Sequence, residues 1–146
     1  MKKWWIAIAL AAAFGVVKDC QAELEASLSG MILIGGAEHD EKLIAGAARQ
    51  ALQEREIDPK LWGPFFDGLV VERQPGKRKI CGYLTAEDGE MFKGCFISRD
   101  GKASIWYANL TPSGLRARTL LHEFRHAVGW SFFKDRGIDD DGKPVQ

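Results

Sequence analysis

The chain is poor in the residues that most often carry chemistry. Its 146 residues include three histidines, three cysteines and two tyrosines. Lys and Arg together number twenty, as do Asp and Glu, so there is no cationic surplus for a nucleic acid or an anionic membrane surface to attract. No internal repeat, low-complexity tract or Ser/Gly linker divides the sequence, which argues against several domains. Long apolar runs are also lacking, with one exception at the start.

That exception is Trp4 to Val17, fourteen apolar residues behind Lys2 and Lys3. It is shorter than the about 20 residues a membrane-spanning helix needs, and it has the order of a secretory leader: positive start, apolar centre, small-x-small end at Cys20 and Ala22. Residues 1–22 are therefore expected to be a signal peptide, and 23–146 a single domain of an exported bacterial protein, periplasmic or secreted. No stable membrane insertion is expected once the leader is removed. The charges of Lys18 and Asp19 speak against Cys20 as a lipidated residue. The remaining segment carries a net charge of −2, and Lys77-Arg78-Lys79 reads as a solvated turn after Pro75-Gly76. Cys81 and Cys95 are then an even pair in an oxidising compartment and are expected to form a disulfide across a hairpin centred on Asp88. Zinc ligation by these thiols is the less economical use of them.

Periodicity predicts an α+β domain. Leu28 to Ile34 reads as a short buried strand ending at Gly35-Gly36. Ala37 to Glu56 carries Leu43, Ile44, Ala47, Ala51 and Leu52 at helical spacing and stops at Asp58-Pro59. Leu61 to Phe66 is an aromatic connector suited to core packing. From Leu69 onward the texture is that of strands and turns. Lys79 to Thr85 and Glu90 to Ser98 flank Ala86-Glu87-Asp88-Gly89, and Arg99-Asp100-Gly101-Lys102 marks a second turn. Ala103 to Leu110 alternates, with Ile105 and Tyr107 on one face and Trp106 and Ala108 on the other. The expectation is a small antiparallel sheet of about four to five strands, packed with the early helix and with a last helix opened by Thr111 as N-cap and Pro112 at the first position.

Two of the three histidines lie in that last helix, in His122-Glu123-Phe124-Arg125-His126. Residues four apart on a helix share a face, so both imidazoles can reach one Zn²⁺. The glutamate after the first histidine is then near the attacking water of a hydrolysis and can act as its general base. Ala117, Leu121, Phe124 and Val128 form the apolar side expected to face the sheet, and the histidines project from a different side. The opposing reading makes them surface histidines on a polar face with Arg118 and Arg125.

Thr119 to Gly129 resembles the active-site helix of the zincin metallopeptidases, with a sheet and an earlier helix before it. The resemblance is specific over about a dozen residues and loose over the rest. It implies His122 and His126 as metal ligands, Glu123 as general base, Zn²⁺ as cofactor and a peptide or protein as substrate. Arg125 stands where the family has an uncharged residue. The third ligand is conspicuous by omission, since residues 127–146 contain no His, Glu, Cys, Tyr or Met. Phe132 occupies the third-histidine position of the metzincin pattern, and the gluzincin pattern lacks its downstream Glu. Asp135 has a spacing similar to that of the aspzincin ligand and ranks first, provided that the helix breaks near Gly129 and turns back. Asp139, Asp140, Asp141 and the remoter His39 remain open.

The function expected is that of an exported zinc-dependent metallopeptidase. Its substrate strand is expected to pair with Ala103 to Asn109 as a sheet edge, and Tyr107 or Arg136 to steady the oxyanion. Two other readings stay open: a non-catalytic zincin-like binding module, and a disulfide-stapled periplasmic interaction domain whose histidines bind nothing.

Overall fold

The alternating segment 102–108 becomes the middle of a sheet rather than its rim. In the computed structural model, which describes residues 30–145, the strands are β1 (Ile32–Ile34), β2 (Val70–Gln74), β3 (Ile80–Cys81), β4 (Leu84–Thr85), β5 (Gly94–Arg99) and β6 (Lys102–Ala108). The helices are α1 (Glu41–Glu54), the short α2 (Trp62–Phe66) and α3 (Ser113–Val128). The leader expected at 1–22 lies outside the described residues. Among those described, no helix is long and apolar enough to cross a membrane.

The fold is α+β, but the four-stranded sheet, ordered β1-β2-β6-β5, is mixed rather than antiparallel. β1 and β2 run parallel, as do β2 and β6, and only β5 and β6 are antiparallel. Side-chain alternation has the same period of two in both kinds of ladder, so it carries no information on strand direction. The register aligns Leu33, Val71, Ile105 and Phe96 in one row across the sheet. That row packs against the helices in the main core.

α1 contributes Ile44, Ala47, Ala48, Ala51 and Leu52 to this core, and α3 contributes Leu120, Phe124, Ala127 and Val128. The small alanines of α1 let the two helices lie close. Trp62 and Phe66 of the aromatic connector are buried beneath them, with the Trp62 indole donating to the Ile57 carbonyl at 3.1 Å. β1 is an edge strand, not a buried one: Met31 and Leu33 turn inward while Ile32 and Ile34 are exposed. α3 begins at Ser113, after Pro112, and Thr111 supplies no side-chain cap.

The turn at Asp100-Gly101 joins β5 to β6 as expected, with φ of 54° and 74° at the two residues, the twist a two-residue hairpin requires. The hairpin expected about Asp88 does not form as drawn. Ile80-Cys81 turns at Gly82-Tyr83 and pairs instead with Leu84-Thr85, and a single bridge between Arg78 and Phe92 joins the two flanks. The Cys81–Cys95 disulfide is present, with Cα atoms 5.8 Å apart. It ties β3 to β5 on the sheet face opposite the main core, where Trp106 covers it. A loop of this length contributes about 3 kcal/mol in the chain-entropy account.

One buried carboxylate links the helices to the sheet. Asp40 closes the 3₁₀ turn Ala37–Asp40 ahead of α1. It accepts from the Tyr107 hydroxyl of β6 at 2.8 Å, from Arg73 of β2 at 3.3 Å and from Arg116 of α3 at 3.3 Å. Burial alone would raise its pKa, but the Tyr107 hydroxyl and the two guanidinium groups outweigh burial, and the net shift is downward. The stabilisation is therefore fully present above the ordinary carboxyl value of 3.8 and is lost as pH falls through the lower folded value. Asp40→Asn is expected to cost about 2 kcal/mol at pH 7 and to flatten the acid limb of stability below pH 4. Urea denaturation of both proteins as a function of pH measures this.

Candidate functional site

α3 exposes its polar residues unequally, and the difference defines a site. His122 and His126 stand at the helix surface with their Nε2 atoms 3.0 Å apart. Two nitrogens bound to one tetrahedral Zn²⁺ at about 2.05 Å would be about 3.3 Å apart, so the pair fits a shared divalent ion with little adjustment. Burial lowers both imidazole pKa values. The Arg125 charge adds to this at His122, and the His122 ring adds to it at His126. Both rings are thus held in the neutral form that a metal ligand requires. The backbone carbonyl of Arg136 accepts from the His126 ring, which fixes the orientation of that imidazole.

Glu123, by contrast, is buried, 5% exposed, between α3 and the sheet edge. Burial pushes its carboxyl up to about 8, and the backbone N–H of Phe96 partly offsets that push. The close approach depends on Gly94 at the start of β5. A Cβ there would collide with the Thr119 methyl group and crowd the Trp106 carbonyl and the Glu123 stem. Glycine inside a strand pattern is a recognised sign of such an approach, and that signal was available in the sequence.

A cavity of about 460 Å³ brings these groups together. His122, Glu123, His126 and Trp130 line it from the helix side, Gly94 and Phe96 from β5, and Cys81, Leu84 and Phe92 from the disulfide-linked segment. Asp135 and Arg136 complete the wall. They return there because α3 continues as a π-helical turn over Gly129–Phe133, after which Lys134 adopts a left-handed conformation at φ 56° and reverses the chain. Gly137 then packs against the Arg125 carbonyl, and Gly129 against Asp135 and Gly137, contacts with no space for a Cβ.

Asp135 thus reaches the cavity, but its carboxylate is engaged elsewhere. Arg55 donates to both oxygens, at 3.3 and 2.9 Å, and the Gly137 amide donates at 2.8 Å. Nothing in the sequence pointed to Arg55. Asp140 accepts from Arg125, Asp139 accepts from the Asp141 and Lys143 amides, and His39 is exposed beside Glu38. Among the described residues, no three His, Cys, Asp or Glu side chains converge as a metal-holding group. Tyr107 is fully buried on Asp40 and does not line the cavity, which removes it as a partner for an oxyanion and leaves Arg136. β6 is paired on both sides, so Ala103 to Asn109 is not the edge expected; beside the site the edge is β5.

Arg125 is not part of a polar surface. It lies buried and forks onto Glu54 of α1 at 2.7 and 2.9 Å, with Asp140 at 2.7 Å on its remaining nitrogen. The charge between the two histidines thus locks α3 to α1 and to the C-terminal segment. Comparison of the chain with protein families, with curated proteins and with solved structures finds no match.

Arg125→Ala is expected to destabilise the protein by about 3 kcal/mol, because it leaves the partly buried Glu54 carboxylate without its partner. Arg125→Ala combined with Glu54→Ala should recover part of that loss. A double-mutant cycle of chemical denaturation measures the coupling.

Proposed function

We propose that the chain is a zinc-dependent peptidase of the zincin type, exported by a leader at its N-terminus and acting on extended polypeptide. One observation carries the reading: two imidazole nitrogens 3.0 Å apart stand beside a buried glutamate in a cavity at a sheet edge. That combination is costly for a fold to hold without a use, since burial makes a carboxyl forgo either its charge or most of its hydration.

In this reading His122 and His126 hold Zn²⁺. The ion would supply Lewis acidity, polarising the scissile carbonyl and acidifying the attacking water. Glu123 takes the proton from that water and returns it to the leaving amine. Its pKa, raised by burial, suits the return step, while a nearby cation favours the ionised form needed for the first. Arg136, in the cavity wall, is the group available to bind developing negative charge. The substrate backbone pairs along β5, the last strand of the sheet among the described residues.

A second reading, a zinc-holding binding domain without hydrolysis, is favoured by the engagement of Asp135 with Arg55 and Gly137. The two differ in outcome. For the peptidase, cleavage of an unfolded protein such as reduced casein is lost on chelation and restored by one equivalent of Zn²⁺.

His122→Ala and His126→Ala should each lower zinc affinity at least about a hundredfold, more than loss of an outer partner would, as read by competition with a chromogenic chelator. Glu123→Gln should keep the zinc and lower kcat at least about a thousandfold. Full activity in that variant would sink the mechanism. Zinc bound at one equivalent with no cleavage of any peptide by the wild type would favour the binding domain.

A further inference from the structure

The disulfide-linked segment contributes three side chains to the cavity of the candidate site, yet the general chemistry of the histidine pair makes no use of it. Cys81, Leu84 and Phe92 face His122, Glu123, His126 and Trp130 across the free edge of β5. The hairpin β3–β4 that carries Leu84 has two residue pairs and no second hairpin to lean on. Two strands of that length do not hold themselves in water. What holds them is the Cys81–Cys95 bond to β5 and the packing of both sulfurs on Trp106, together with the Arg78–Phe92 bridge, the Ala86 amide donating to the Lys79 carbonyl at 2.7 Å, and Arg99 at 5.4 Å from the exposed Tyr83 ring.

A hairpin with so little core would be expected to show polar side chains to solvent. Instead Ile80 is 60% and Leu84 65% exposed. Leu84 is the informative one, because it is exposed and yet lines the cavity. Exposed apolar surface continuous with a cleft is a mark of ligand contact. Together with Phe92 and the Phe96–Trp130 ring pair it makes up the apolar part of the cavity lining beside the strand edge.

We propose that the hairpin is the second lip of a substrate cleft, with Leu84 a specificity-determining residue that contacts a bulky apolar side chain of an extended polypeptide lying along β5. The Cys81–Cys95 bond holds that lip in place. This proposal rests on the site reading given above for its location, but not on hydrolysis. The polypeptide is the fitting occupant because the floor of the cleft is a strand edge, which offers backbone N–H and C=O groups in register for another chain.

Binding without turnover tests it. Fluorescein-labelled decapeptides, one with Phe-Leu at its centre and one with Ser-Asn, are titrated against the disulfide-intact Glu123→Gln protein with zinc present. The Phe-Leu peptide is expected to bind at least about tenfold more tightly, the usual worth of one apolar contact. Adding Leu84→Asn should remove that preference, and so should Cys81→Ser with Cys95→Ser or reduction by dithiothreitol. Ile80→Ser, on the same hairpin but outside the cavity, should keep it. The Leu84 substitution lies at an exposed position and so leaves folding intact even where loss of the disulfide does not.

A preference that persists in Leu84→Asn overturns the proposal, as does the absence of any preference in the parent protein. If the preference follows Leu84 but the wild type cleaves neither peptide, the lip stands and the peptidase reading fails. If the wild type cleaves both equally and Leu84→Asn changes nothing, the peptidase reading stands and the lip fails.

Discussion

The Asp40 carboxylate is the constraint on which the arrangement of the molecule rests. It sits where the chain enters α1, and its partners come from β2, β6 and α3. A single residue therefore references both main helices to two strands of the sheet. Hydrophobic burial is non-directional and would tolerate some sliding of α3 over the sheet. A short hydroxyl–carboxylate bond and two guanidinium contacts do not. Since α3 carries the histidines and the glutamate, the depth and azimuth of the candidate site follow from an ion cluster well away from it.

Within α3 a second set of contacts works at closer range. Arg125, between the two histidines, is pinned by Glu54 and Asp140, so the motif is anchored from its inner side while its histidines stay at the rim. The carboxyl of Glu123 occupies the opposite extreme, deep against β5. Imidazoles at the rim beside a desolvated carboxyl are a contrast set by helix geometry. Positions 122 and 126 share one face, and position 123 is turned about 100° away.

Much of this was legible in the sequence. Helical spacing located α1 and α3, alternation assigned Ile105 and Tyr107 to one face and Trp106 to the other, and cysteine arithmetic gave the disulfide. Strand direction was not legible, because β2 and β6 find each other over a long connection and alternation is blind to polarity. The segment 79–85 folded on itself at Gly82-Tyr83, where a competing turn signal at Ala86 to Gly89 had looked stronger. The polar face that the opposing reading of the histidines assigns to Arg125 does not exist, and nothing local announces that Glu54, in a distant helix, buries it. The same holds for Arg55, which claims Asp135. Pairings of charges across seventy or more residues are properties of the folded chain, and no window along the sequence contains them.

Gly94 has a consequence for how such a site can vary. At Gly94 the strand backbone receives the Thr119 methyl group and the Glu123 stem of α3 directly, so those two side chains set the spacing of helix and strand there. A methyl group at that point would meet the Thr119 side chain first and the Glu123 stem next, two residues one turn apart on the same face of α3. The position of the Glu123 carboxyl relative to β5 therefore depends on there being no side chain at Gly94. A larger residue at 94 and a smaller one at 119 are thus changes that belong together.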